Sequence, residues 1–202
     1  MTRQQHPISN TLSIAERTAR LALALEGLRI PAATSGRMAR WLDEYQIVTS
    51  PGVEASQNQT LPYDGVLGQP FDDGHDEMVV VKDIDFIALC EHHLLPFHGR
   101  AAIGYIPNGR LLGLSKTARI VQWFCREPTL QEHITAGVAE AIDEVVTPKG
   151  VICVLYNVVH SCMSMRGVKQ RHANTTTSSI KGVMKDASPR AEFYALVGGS
   201  IQ

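Results

Sequence analysis

The chain has 202 residues, 44% hydrophobic and 19% charged, which suffices for one substantial core plus an appendage. Its formal net charge of -1 supplies no global field toward nucleic acid or an anionic membrane. No apolar run approaches the length of a membrane span or resembles a secretion signal, so a cytoplasmic globular protein is expected.

Residues 1–10 are polar and read as disordered. Over 14–25, Ile14, Leu21 and Leu25 recur at helical spacing, and Gly27 is placed to end that helix. A second helix is expected over 37–45. Residues 49–75, rich in Pro, Gly, Asn, Gln and Asp, read as a long connection. The division expected is an amino-terminal helical arm and linker over 1–75, ahead of a domain over 76–202.

From residue 77 the texture changes. Strands are expected over 78–81 and 84–89, running into Cys90, and over 100–106, closed by a Pro107-Asn108-Gly109 turn. Ser115 is placed to cap a helix through Phe124. Thr129-Leu130-Gln131-Glu132 has the spacing of a capping box opening a longer helix that ends near Val146. A β-branched strand over 151–159 leads to His160, another strand covers 175–184, and Ser188-Pro189 opens a terminal helix. This order predicts an α+β domain, an antiparallel four-stranded sheet with two helices on one face. So small a sheet has exposed edges, which pairing with further copies of the chain would cover. A homo-oligomer is therefore expected.

Two short clusters carry the chemistry: Cys90-Glu91-His92-His93, and His160-Ser161-Cys162. Thiols and imidazoles so grouped are a ligand set for a first-row metal, Zn²⁺ foremost. Cys90 and His93 can converge if the chain bends after its strand, and His160 and Cys162 share a face if theirs continues. The neighbours His92 and His93 diverge, so one of them ligates. The shell expected is Cys90, His93 and Cys162 with one position open for water, as in catalytic sites. His92 and His160 then stand by to move protons. The alternative is a closed four-ligand site that only pins two strands together. Cys125 and Cys153 sit among apolar residues and read as inert buried thiols. Of the remaining histidines, His6, His75, His98, His133 and His172 read as ordinary surface or packing residues.

At these residues the chain resembles the GTP cyclohydrolase I family. The resemblance is carried by Cys90-Glu91-His92-His93-Leu94-Leu95-Pro96-Phe97-His98-Gly99, by Gly113-Leu114-Ser115-Lys116-Thr117-Ala118-Arg119, and by His160-Ser161-Cys162-Met163-Ser164-Met165-Arg166-Gly167. Gln131-Glu132 and Thr175-Thr176-Thr177-Ser178 continue it in order. It implies zinc ligands Cys90, His93 and Cys162, and catalytic His92 and His160, with Ser115 a candidate for proton transfer on the ribose side. It implies Glu132, with Gln131 beside it, at the guanine edge, and Ser115, Lys116, Arg119 and Arg166 around ribose and triphosphate. The fold implied is the tunnelling fold, whose subunits close into pentameric rings stacked as a decamer with active sites between subunits. The reaction implied is zinc-dependent hydrolysis of GTP to 7,8-dihydroneopterin triphosphate and formate, the first step of tetrahydrofolate and pterin biosynthesis.

Each role has a plainer rival. Lys116 and Arg119 could be a solvated helix face, Glu132 the capping-box residue, and Thr175–Ser178 a half-exposed strand. Arg37 and Arg40 lie in a stretch that resembles the family's Thr-Pro-x-Arg motif but has Ser35 for proline; they are expected at a triphosphate or on a polar helix face. The chain also has His133 where the family usually has arginine. The same reaction could serve a deazaguanine or other secondary pathway, or the scaffold could be a non-catalytic zinc- and nucleotide-binding paralogue. Nucleic-acid binding lacks any basic stripe or aromatic stacking pattern.

Overall fold

The structure, a computed structural model, describes Arg37 and residues 64–198. The chain divides into two units, Met1–Val48 and Thr49–Gln202. Of the first, only Arg37 is described, helical and exposed. The helix expected over 14–25, and Arg40, lie outside the described residues.

The second unit opens, as described, with the helical turn α1 (Asp64–Leu67) and the short strand β1 (Phe71–Asp72). Both fall in the stretch read as a bare connection. Val66 and Leu67 are buried in the main core, so that core reaches back ahead of residue 76. There follow β2 (Val79–Leu89), β3 (Pro96–Ile106), β4 (Arg110–Leu111), α2 (Leu114–Cys125), α3 (Gln131–Val146) and β5 (Gly150–His160). A helical turn α4 (Ser161–Ser164), strand β6 (Thr175–Gly182), a 3-10 turn (Val183–Lys185) and α5 (Ala187–Val197) complete the unit. The order β2-β3-β5-β6, antiparallel throughout, is the four-stranded sheet, and β1 pairs with β4 beside it. This is the α+β architecture expected.

Helices α2 and α3 cover one face of the sheet. Ile134, Val138, Ala141, Ile142 and Val146 recur at helical spacing along α3 and are fully buried, as are Ile120 and Val121 of α2. The two helices meet closely at Gly137, where a Cβ would strike the Phe124 ring. The opposite face is covered by Met184, Phe193 and Val197, which pack on Ala102, Ile152, Val154 and Tyr156. Phe193 lies against Gly104, whose Cβ would stand 2.5 Å from the ring. Burying one such side chain contributes about 1.5–3 kcal/mol. With both faces covered, Val151 to Tyr156 are all buried and show no polar alternation.

Two bulges set which side chains face the helices. On β2 the register shifts between Val81 and Ile84, with Asp83 at φ 58. On β5 it shifts between Leu155 and Val158, with Asn157 at φ 52. The Tyr156 hydroxyl latches the two together: it donates to Asp83 Oδ1 at 2.9 Å and accepts from the Asp83 N–H at 3.2 Å. Strict alternation would group His160 with Ile152, Val154 and Tyr156, away from the helices. The extra residue at Asn157 reverses that, so Val158 joins Cys153 and Leu155 on the helix side.

Three expected caps are not formed. The N-cap of α2 is Gly113, with Ser115 one residue inside the helix; that of α3 is Leu130, and that of α5 is Asp186, none with a side-chain cap bond. The Thr129 backbone is instead drawn into a bridge with Cys90, which starts the helix one residue later than the capping-box reading.

Candidate metal and catalytic site

The chain bends after β2 as the metal reading requires. The Cys90 N–H donates to Leu95 O at 2.9 Å, and the N–H groups of His93 and Leu94 donate to Cys90 O at 3.3 and 2.8 Å. Leu94 adopts φ 53 to close this turn. The turn is pinned to the segment ahead of α3, with Thr129 N–H on Leu89 O at 2.8 Å and Glu91 N–H on Thr129 O at 3.1 Å. Cys90 Sγ and His93 Nδ1 are thereby held 3.8 Å apart.

Cys162 arrives differently from the expectation. Strand β5 ends at His160, and Cys162 is the second residue of α4. That helical turn, rather than a continued strand, carries its thiol inward. The ligand atoms of Cys90, His93 and Cys162 all lie within 4.8 Å of one another. A tetrahedral ion with bonds of about 2.0–2.3 Å keeps its ligands roughly 3.3–3.8 Å apart, so the three fit a metal after small adjustment. Burial raises the Cys162 thiol pKa, and the adjacent Cys90 raises it further. A cation between the two is what would hold them as thiolates. Arg166 Nη1 lies 2.7 Å from His93 Nε2. A guanidinium only donates, so Nε2 accepts here. A metal on Nδ1 would move the ring proton to Nε2 and turn Arg166 away.

His92 is exposed, its ring at 82° to that of His93, with Nε2 4.0 Å from the Glu91 carboxylate. His160 is half-buried and stacked on Phe97, centroids 4.7 Å apart and rings within 8°. Its Nε2 lies 2.8 Å from Gln131 Oε1. Burial lowers its pKa, opposed by the charge of Glu132. Gln131, buried at the start of α3, also receives a bond from Thr175 Oγ1 at 2.5 Å and donates to Thr177 Oγ1 at 3.0 Å. Thr135 Oγ1 stands 2.6 Å from Thr177 Oγ1 and donates to Gln131 O at 2.8 Å. Thr175 and Thr177 belong to a run that carries the family resemblance but was given no role in the site, and Thr135 was not singled out. Their signal was two threonines two apart on β6, sharing one face.

Glu132 is exposed at the second position of α3, its oxygens making no cap bond. Ser115 and Arg119 are exposed and Lys116 half-buried on the first turns of α2. Among the described residues, no hydrogen bond or ion pair joins these three to the Cys90–His93–Cys162 group. Cys125 and Cys153 are fully buried, and burial pushes the Cys153 thiol up to about 12, as inert packing requires.

A family model described as GTP cyclohydrolase I matches residues 29–198. The chain belongs to the GTP cyclohydrolase I family. Among its relatives, GTP cyclohydrolase 1 of Deinococcus radiodurans is 51% identical over 127 residues, covering 62% of this chain and 58% of that protein. GTP cyclohydrolase 1 of Dictyostelium discoideum is 48% identical over 144 residues, covering 70% and 62%. The chain thus spans about three fifths of the length of these GTP cyclohydrolase I relatives. A crystal structure titled archaeosine synthase QueF-Like in the apo form aligns at TM-score 0.42 and 16% identity, over 52% of this chain and 93% of that one. That likeness is too loose to bear on the site. No described helix is long and apolar enough to cross a membrane.

Proposed function

We propose that this chain acts as a GTP cyclohydrolase I, opening the imidazole ring of GTP to give 7,8-dihydroneopterin triphosphate and formate. The observation that carries the reading is the convergence of Cys90, His93 and Cys162 within 4.8 Å, in a chain of this family with His92 and His160 left over. Those three residues would hold Zn²⁺, which supplies a water activated near neutral pH. Glu132 accepts from the N1–H and 2-amino group of guanine. Lys116, Arg119 and Arg166 neutralise the triphosphate, joined by Arg37 and Arg40 of a neighbouring arm. Water adds at C8, and His92 or His160 delivers the proton to N7 as the ring opens. A second water at the same carbon releases formate. The ribose then opens, rearranges with His160 and Ser115 moving protons, and closes on the freed amine with loss of water.

In this reading 76–202 form the catalytic domain and 1–75 an arm and linker, the end of which, at Val66 and Leu67, packs into the domain's core. The subunits assemble as a cytoplasmic decamer of two stacked pentameric rings with sites between neighbours. The test is zinc content measured together with formate release and pterin fluorescence on incubation with GTP. Cys90→Ser or Cys162→Ser is expected to lose both metal and turnover. Full turnover by metal-free protein would overturn the proposal.

A further inference from the structure

We infer that Gln131 is a positioning residue that sets the tautomer of His160, through a one-way chain of hydrogen bonds anchored in Thr135 and Thr177; the inference rests on the cyclohydrolase reading for its catalytic consequence. The direction of the chain follows from counting protons. A hydroxyl has one proton to donate. That of Thr135 goes to the backbone carbonyl of Gln131, which can only accept, at 2.8 Å. The 2.6 Å contact between Thr135 and Thr177 must then use the Thr177 proton. Thr177 is left as an acceptor toward Gln131, so the group facing it at 3.0 Å is the amide nitrogen. The amide oxygen consequently faces His160 and Thr175, at 2.8 and 2.5 Å. An amide oxygen cannot donate, so His160 Nε2 carries the proton. The working lone pair of the neutral imidazole is then on Nδ1.

Burial makes the arrangement firm. Gln131 and Thr135 are each 2% exposed, so water does not compete for these bonds, and a flipped amide would set its oxygen against the Thr177 oxygen, whose proton is already used, leaving acceptor facing acceptor. The Phe97 ring holds the imidazole plane by stacking. With both its amide atoms engaged inside the protein, Gln131 acts on substrate through His160, whereas the adjacent Glu132 is exposed and can meet guanine directly. A mispositioned tautomer removes a general acid–base group from use, which is worth roughly 10²–10⁴-fold in rate.

The experiment is ¹⁵N NMR of the histidine side chains in the zinc-loaded full-length protein with the ring neutral, His160 being assigned by its loss in His160→Gln. A single Nε2–H tautomer is expected. Gln131→Met and Thr177→Val are expected to give mixed or Nδ1–H populations, and Gln131→Glu, which keeps an acceptor, to restore Nε2–H. In formate release, Gln131→Met should lower kcat at least about tenfold with little change in KM for GTP. An Nδ1–H signal in the parent protein would overturn the inference. So would a tautomer unmoved by Gln131→Met and Thr177→Val, or a rise in KM at constant kcat. Beyond His160→Gln for the assignment, the parent spectrum needs no variant to fold and no GTP. Absence of turnover in the parent protein would count against the cyclohydrolase reading and leave the tautomer result standing.

Discussion

At the residue scale, Glu132 shows how the structure separates two uses of one side chain. The spacing Thr129-x-x-Glu132 is that of a capping box, and a carboxylate busy capping its own helix could not also grip a base. Because α3 starts at Gln131 with Leu130 as its N-cap, Glu132 caps nothing. Its carboxylate lies in the first turn, where the positive end of the helix favours an acidic group, and is engaged in no capping bond. Two hydrogen bonds to a charged acceptor contribute about 1.5–3 kcal/mol each at best. Glu132→Ala is therefore expected to weaken GTP binding by about tenfold or more. The change in helix stability should be small. Calorimetric titration with GTP and thermal unfolding of the same variant distinguish these: unchanged affinity with a marked loss of stability would return Glu132 to the capping role. The structure brings the ligand atoms of Cys90, His93 and Cys162 within 4.8 Å of one another, and this candidate trio was legible from residue type and clustering. The service of Gln131 and the threonines to His160 was not, since hydrogen-bond direction depends on which groups are buried together.

At the element scale the decisive feature is the bulge on β5. The strand was readable from its β-branched run, yet its phase was not. One extra residue at Asn157 turns His160 toward the helices and lets it reach Gln131. Asn157 holds φ 52, a left-handed conformation that asparagine and glycine tolerate and β-branched residues resist. Asn157→Gly is thus expected to be more stable than Asn157→Val by about 1–2 kcal/mol. Urea unfolding checks this, and equal stability of the two variants would show that the bulge does not depend on that backbone geometry. The same scale accounts for the misread helix starts: capping motifs state a preference worth about 1 kcal/mol, and the Thr129 bridge to Cys90 overrides it.

At the scale of the whole molecule, the described unit leaves much unpaired. Strands β2 and β6 end the four-stranded sheet, and no described strand adds to either edge. Leu114, Met165 and Val168 are 65%, 71% and 67% exposed, beside the residues assigned to phosphate and ribose. Long open edges and apolar side chains at the site are what association between copies would cover. If Ser115, Lys116 and Arg119 serve a neighbour's metal group, a complete site needs two chains. Co-assembly of Cys162→Ser with Arg119→Ala, each inactive alone, is then expected to recover part of the turnover. Sedimentation should also give a mass of several chains. A monomer with full activity would contradict this arrangement.

Residue types and their spacing determined by themselves that two cysteines and a histidine could gather as a group able to hold a metal, that the domain is α+β, and that the chain resembles GTP cyclohydrolase I. Those features are written in local chemistry: soft ligands, apolar periodicity and turn residues. Tertiary structure alone decided that His160 faces α3, that Glu132 is unencumbered, and that Cys162 reaches Cys90 from a helical turn. Each of these depends on strand phase or chain direction, which a single inserted residue reverses and which only packing against distant segments can fix.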